Sequence, residues 1–217
     1  MRNLNVKNQN GRSMIEMLGV LAIIGVLSVG GIAGYSKAMM KYRINKTIEQ
    51  IAYISTNIRT FYASQGNYND VDNTAGEQHR NIFKKAKLVP DEILENWDNP
   101  FEGTVEIQNT SKTEAEIGSA DRHAFYILYY DLPREACIEL ATLDWGSAAG
   151  AGLMSITVSN GGWNLPDHTL GCNGGNSSDG ATACSGGSII SIPMPIDQAV
   201  AACNCPDDNC FISWNYY

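Results

Sequence analysis

The feature that most constrains this chain is a run of twenty uncharged residues, most of them apolar, from Met17 to Ser36. As a helix rising about 1.5 Å per residue, the run would be roughly 30 Å long, which is the thickness of a membrane's hydrocarbon core. A carboxylate, Glu16, directly precedes it. Because a charge at the edge of hydrocarbon is costly, we expect Glu16 to have a partner or a function.

An ordinary secretory signal peptide is the simplest alternative for this run. Arg2 and Lys7 would be its basic start, and the small residues around Ala33 its cleavage site. Glu16 fits that alternative poorly, since the apolar region of a signal peptide has no use for a carboxylate. The helical pattern also continues past Ser36 without a break, which a cleaved peptide does not explain.

Beyond Lys37 the chain becomes amphipathic, with apolar residues recurring at spacings of three and four. These residues are Met40, Ile44, Ile48, Ile51, Ile54, Ile58 and Phe61. The pattern predicts one helix from Arg12 to Gln65, ended by Gly66. Such a helix would be roughly 80 Å long, so its first half needs partners outside a small domain.

Glycines in the first half of the helix indicate how it is covered. Gly19, Gly25, Gly30, Gly31 and Gly34 destabilise an isolated helix but allow close backbone approach in a membrane or a helical bundle. A two-stranded coiled coil is the alternative, but this half lacks the charged flanking positions of such a coil. The sequence favours a core made of helices from many subunits.

The segment from Gly11 to Glu16, followed by the apolar run, resembles the signature of type IV prepilins. The resemblance implies that a prepilin peptidase cuts between Gly11 and Arg12 and that the new N-terminus at Arg12 is N-methylated. It also implies that Glu16, the fifth mature residue, sets the register of assembly by pairing with the Arg12 amine of a neighbouring subunit. Arg12 departs from the family's usual apolar first residue.

The C-terminal part extends this resemblance to type IVb pilins of the thin conjugative-pilus kind. The matching segments are residues 133–140, residues 201–203 and the Ser213-Trp214 pair in a terminal strand. The resemblance implies a disulfide between Cys137 and Cys203. Proximity in the chain then leaves Cys205 to pair with Cys210, and Cys172 with Cys184.

The expected architecture is therefore α+β, a pilin fold in which the long N-terminal helix packs on an antiparallel sheet and disulfides staple the C-terminal region. We expect a cleaved leader (1–11), a membrane and assembly half of the helix (12–36), an amphipathic half (37–65) and a globular head (66–217). Predicted head elements are helices over 80–87, 134–143 and 196–203 and strands over 103–107, 125–130, 153–159 and 210–217.

The cysteine distribution predicts that the head lies outside the cytoplasm, and the charge distribution bears on what the head can bind. All six cysteines follow residue 136, which is typical of disulfides in an oxidising compartment. Residues 1–59 hold eight of the fifteen Lys and Arg but two of the 23 Asp and Glu. The remainder is thus strongly acidic, which disfavours binding of nucleic acid by the head.

The sequence favours no catalytic or metal site. Cys203, Cys205 and Cys210 could ligate zinc, and the acidic segment 207–209 could ligate calcium, but disulfide pairing in an oxidising compartment is the better interpretation. We predict neither metal nor cofactor. The histidines, His79, His123 and His168, lie in unrelated segments, and no catalytic motif is present, so no enzyme activity is expected.

These features predict a structural subunit of an extracellular type IV pilus, polymerising as a helical homopolymer. Before assembly it would be a single-pass inner-membrane protein with its head in the periplasm, served by the prepilin peptidase and the inner-membrane assembly machinery. The loop 161–188, which contains Trp163, is the candidate contact for a host or surface receptor. The alternatives are a minor pilin or tip adhesin, a pseudopilin of a type II secretion system and, last, a periplasmic enzyme.

Processing at Gly11 can be tested directly by mass spectrometry of protein sheared from the cell surface. We expect the N-terminal peptide to begin at Arg12 and the intact mass to rise by about two units for each disulfide reduced. A chain that begins near Gly34 and occurs only in the periplasm would contradict prepilin processing.

Overall fold

The computed structural model describes residues 14–110, 122–145, 152–159, 193–205 and 209–217. They form an α+β fold. The helices are α1 (Met14–Tyr62), α2 (Glu77–Lys85), α3 (Asp91–Leu94), α4 (Arg134–Thr142) and α5 (Ile196–Ala202). The strands are β1 (Val105–Thr110), β2 (Ala124–Leu132), β3 (Leu153–Ser159) and β4 (Cys210–Tyr216). The chain divides after Tyr42 into two compact units, and we call residues 43–217 the globular unit.

The four strands form one antiparallel sheet in the order β1-β2-β4-β3. Strand β2 is central and is buried over most of its length. A strand buried on both faces does not need alternating polarity, which is why residues 125–130 are continuously apolar and aromatic. The predicted strands are confirmed, and β1 begins later than predicted because Gly103 and Thr104 belong to the preceding turn.

Within the globular unit, the second part of α1 packs on the sheet through its apolar stripe. Ile44, Ile51, Ile54 and Ile58 are fully buried, each worth about 1.5–3 kcal/mol relative to an exposed side chain. The predicted end of the stripe was wrong. Phe61 is 45% exposed, whereas Tyr62 is 3% exposed.

An aromatic contact explains the burial of Tyr62. Its ring lies 5.9 Å from that of Tyr68, which in turn lies 4.9 Å from the ring of Phe125 on β2. The helix ends there, and the amide of Gly66 donates to the carbonyl of Tyr62. Gly66 has φ of 75°, the left-handed conformation expected of a glycine after a helix.

Helix α2 runs from Glu77 to Lys85, so it begins and ends before the predicted bounds of 80–87. It ends early because Lys87 adopts a left-handed conformation, with φ of 53°. The amide of Leu88 donates to the carbonyl of Phe83 and that of Lys87 to the carbonyl of Lys84, the bonds of a Schellman motif. A non-glycine residue thus closes this helix.

A tight turn over residues 97–104 is fixed to β2 by the side chain of Asn99. Its Oδ1 accepts from the amide of Phe101 at 2.7 Å, and its Nδ2 donates to the carbonyl of Tyr130 at 2.7 Å. Gly103, which belongs to this turn, lies close against β2. A Cβ there would overlap the carbonyl of Tyr130 and approach the Asn99 amide nitrogen to 2.9 Å.

Gly103→Ala should therefore destabilise the globular unit by overpacking, by about 3 kcal/mol. Gly66→Ala is the matched control, because its backbone is left-handed but a Cβ would meet nothing within 4 Å. Backbone conformation alone should cost about 1 kcal/mol there. Thermal unfolding of the purified protein in detergent should show the larger loss for Gly103→Ala, and equal losses would contradict the packing argument.

Candidate assembly surface and disulfide cluster

The first part of α1 exposes an apolar surface that no described residue of the chain covers. Every residue from Met14 to Ala38 is exposed. The large apolar side chains among them are Met14, Ile15, Met17, Leu18, Val20, Leu21, Ile23, Ile24, Val26, Leu27, Val29 and Ile32. By length and composition this part of α1 can cross a membrane. Such a surface requires lipid or protein around it.

Glu16 lies in the first turn of α1, where a carboxylate interacts favourably with the helix dipole. It is exposed, as are the apolar residues that follow it. Gly11 and Arg12, the predicted processing site, lie outside the described residues. The relation of Glu16 to Arg12 therefore stays a prediction.

The glycines of this segment leave open space beside the helix. A Cβ added to Gly19, Gly25, Gly30, Gly31 or Gly34 would meet no atom within 4 Å. Packing inside a single chain therefore does not account for them. Close approach of another helix is a reason for glycine at these positions.

In the globular unit, a polar network fixes α1 to α3 and β2. Gln50, which is buried, donates from Nε2 to Glu92 Oε1 at 2.9 Å and accepts from the hydroxyl of Tyr129 at 3.1 Å. Lys46 Nζ lies 2.9 Å from the same Glu92 oxygen. The buried amide and hydroxyl thus satisfy one another inside an otherwise apolar contact.

The network also determines the ionisation of its members. Partial burial acts to raise the pKa of Glu92, but hydrogen bonds from Gln50 and Lys46 and the charge of Lys46 hold that pKa below its ordinary value. Burial, with the nearby Glu92 and Tyr216, keeps the pKa of Tyr129 well above that of a free tyrosine. Tyr129 therefore remains a hydrogen-bond donor at neutral pH.

Two disulfides lie together where α4, α5 and β4 meet. Cys137 on α4 is bonded to Cys203, the residue that follows α5, and Cys205 is bonded to Cys210 at the start of β4. The pairing of Cys137 with Cys203 that the resemblance implies is present in the structure. Cys172 and Cys184 lie outside the described residues.

The sulfur atoms of Cys137, Cys203 and Cys210 lie within 4.8 Å of one another and are buried. All three are oxidised in disulfides, so they are not thiolate ligands for a metal in this state. The pairings expected from the sequence carried no prediction that the two bridges touch. Their contact depends on how α5 and β4 pack, which the spacing of the cysteines does not disclose.

The remaining candidate residues are not brought together among the described residues. His79 lies on α2 and His123 precedes β2. His168, Trp163 and the acidic segment 207–208 lie outside the described residues. Trp97 and Trp214 are buried, and Trp145 packs edge-on against Trp214 with ring centroids 5.2 Å apart, so all three belong to the packing of the globular unit.

Comparison with solved structures identifies the fold. The fold matches the crystal structure of TcpA, a type IV pilin from Vibrio cholerae El Tor biotype, with a TM-score of 0.53 at 17% identity, over 81% of this chain and 99% of TcpA. The fold is thus that of a type IV pilin.

Sequence comparison specifies the family. The profile described as PilS N terminal matches residues 41–214, and this chain belongs to that family. The major structural subunit of the bundle-forming pilus of Escherichia coli O111:H- is 25% identical over 164 residues, 72% of this chain and 76% of the relative. Its counterpart from Escherichia coli O127:H6 (strain E2348/69 / EPEC) is 26% identical over 153 residues, 67% and 70% of the two chains. The prediction of a type IVb pilin is confirmed.

The lowered pKa of Glu92 predicts a stability contribution that depends on pH. A carboxylate whose pKa is lower in the folded state stabilises that state above its unfolded pKa, and the contribution disappears as the pH falls through the folded pKa. Glu92→Gln should therefore lower stability near pH 7, by less than about 1 kcal/mol because the pair is partly exposed. As the pH falls from the ordinary range of a glutamate pKa through the lower pKa that Glu92 has in the folded state, the stabilities of the variant and the original protein should converge.

Glu95→Gln is the matched control, since Glu95 is an exposed carboxylate one turn away. Urea unfolding of each variant across this pH range measures the difference. A Glu92→Gln effect that persists unchanged at acidic pH would contradict the ionic origin of the contribution.

Proposed function

We propose that this chain is the repeating structural subunit of an extracellular type IVb pilus. The observation that carries the proposal is the exposed apolar surface of residues 14–38 on a helix that continues into a folded globular unit. A filament in which many such helices pack together removes that surface from water. The relatives named as major structural subunits of bundle-forming pili support a filament subunit rather than a pseudopilin.

The proposed route begins at the inner membrane. Residues 12–36 anchor the precursor, residues 37–65 carry the amphipathic half of the helix, and the head of residues 66–217 lies in the periplasm. A prepilin peptidase removes residues 1–11 on the cytoplasmic side. The freed amine of Arg12, methylated or not, becomes the N-terminus of the mature subunit.

Charge pairing then guides assembly. In an apolar core a glutamate is stable only when it is paired, because desolvating an isolated carboxylate costs several kcal/mol. The Arg12 amine of an adjacent subunit supplies the opposite charge, so a subunit that enters in the wrong register leaves both charges unpaired. Glu16 therefore selects the register, while the apolar surface and the glycines supply the contact.

The function is structural, and the partners follow from it. We propose copies of the same chain as the principal partner, with the peptidase and the inner-membrane assembly machinery acting before polymerisation. A host or surface receptor would contact the exposed part of the head. No enzyme activity, metal or specific nucleic acid enters this function.

Glu16→Ala tests the assembly step. We expect normal precursor levels in the membrane but a loss of at least tenfold in the filaments recovered by shearing, because the subunit lacks its registering charge. Glu49→Ala is the matched control, since Glu49 is an exposed glutamate on the same helix, and it should leave filament yield within twofold. Normal filaments from Glu16→Ala would overturn the role of Glu16.

A further inference from the structure

The two disulfides of the globular unit differ in how a reagent can reach them. Cys137, Cys203 and Cys210 are fully buried, whereas Cys205 is partly exposed. Of these four cysteines, Cys205 is therefore the one that an external thiol can reach from solvent, and it belongs to the short bridge with Cys210. Opening that bridge at Cys205 leaves Cys210 as a thiolate inside the cluster.

The released sulfur is already next to the other disulfide. Cys210 Sγ lies within 4.8 Å of both sulfurs of the Cys137–Cys203 bridge and 3.6 Å from the carbonyl oxygen of Cys203. Once freed from Cys205, the Cys210 side chain needs only a small rotation to touch either sulfur. A nucleophile held this close has a large advantage over a thiol in solution. The Cys205 sulfur does not belong to this close group.

We propose that Cys205 and Cys210 form a disulfide relay that exchanges thiols with the buried Cys137–Cys203 bridge. An external thiolate, either a small thiol or the dithiol of an oxidoreductase, attacks Cys205 Sγ, forms a mixed disulfide there and releases Cys210 as a thiolate. Cys210 then attacks Cys203 Sγ. The Cys203–Cys210 bond forms, the Cys137–Cys203 bond breaks, and the Cys137 sulfur takes the electron pair and then a proton from water.

Two features assign Cys203 as the attacked sulfur and Cys137 as the leaving group. Cys203 and Cys210 are separated by seven residues, so their sulfurs stay close even if the helices shift. Cys137 lies near the N-terminal end of α4, and its amide donates to the carbonyl of Pro133 at 2.9 Å. The partial positive charge at that end of the helix stabilises a thiolate that leaves from Cys137.

The relay has a consequence for folding. Each exchange step is reversible. In reverse, the Cys137 thiolate attacks Cys203 Sγ of a Cys203–Cys210 bond, the Cys137–Cys203 bond forms, and the released Cys210 thiolate displaces the external thiol from a mixed disulfide at Cys205. The Cys137–Cys203 bridge, whose cysteines are 66 residues apart, would then form without an external reagent entering the core. This role is independent of filament assembly.

Two single variants of the full-length, detergent-solubilised protein test the relay as a matched pair. Each removes the short bridge and leaves one thiol among the four cysteines of the two described bridges, Cys210 in Cys205→Ser and Cys205 in Cys210→Ser. N-ethylmaleimide added together with a denaturant, so that the buried Cys137 becomes accessible, and without any reductant should label Cys137 in Cys205→Ser, and peptide mapping should find Cys203 linked to Cys210. Of those four cysteines, Cys205 should be the one labelled in Cys210→Ser, with labelling of Cys137 at least tenfold lower than in Cys205→Ser.

The original protein gives a second readout that does not depend on the folding of a variant. Brief treatment with reduced glutathione, an acid quench and alkylation should yield the Cys203–Cys210 peptide, glutathione on Cys205 and labelled Cys137. Labelling of the remaining thiol alone in both variants, with no Cys203–Cys210 peptide from the original protein, would overturn the relay. A Cys137–Cys210 peptide with labelled Cys203 would overturn Cys203 as the attacked sulfur.

Discussion

The constraint on which the rest of the structure depends is the apolar surface of the first part of α1. A single chain does not bury it among the described residues, and at about 25 cal/mol per Å² such a surface is too costly to leave in water. The proposed function gives it two environments, a bilayer before assembly and a bundle of like helices after it. The glycines that weaken the isolated helix are tolerated in both environments, because the surrounding lipid or neighbouring helices stabilise the helix there.

The globular unit then has to hold its own part of α1 firmly. Buried isoleucines supply apolar contacts, while the Gln50 amide, accepting from Tyr129 and donating to Glu92, makes the contact specific in rotation and register. A helix held only by apolar contacts could slide by a turn at little cost. A buried amide that loses its partners costs about 1–3 kcal/mol, so the network opposes such a slip.

Much of this fold could be predicted because its signals are local. Strand β3 was predicted at its observed bounds, and the long helix followed from apolar residues at spacings of three and four. The pairing of Cys137 with Cys203 came instead from family resemblance, since six cysteines permit fifteen pairings.

Features set by contacts between residues far apart in the sequence could not be predicted. Gln50 has partners 42 and 79 residues away, and Tyr62 is buried in place of Phe61 because of rings on a loop and on β2. The contact between the two disulfides belongs to the same class, since it arises from how α4, α5 and β4 pack.

A helical reconstruction of filaments sheared from the cell surface tests the central claim most directly. The account predicts that residues 14–38 of every subunit lie at the filament axis, out of contact with solvent, with Glu16 of one subunit within ion-pair distance of the Arg12 amine of its neighbour. Filaments held together by the globular units alone, with residues 14–38 absent or facing solvent, would contradict it.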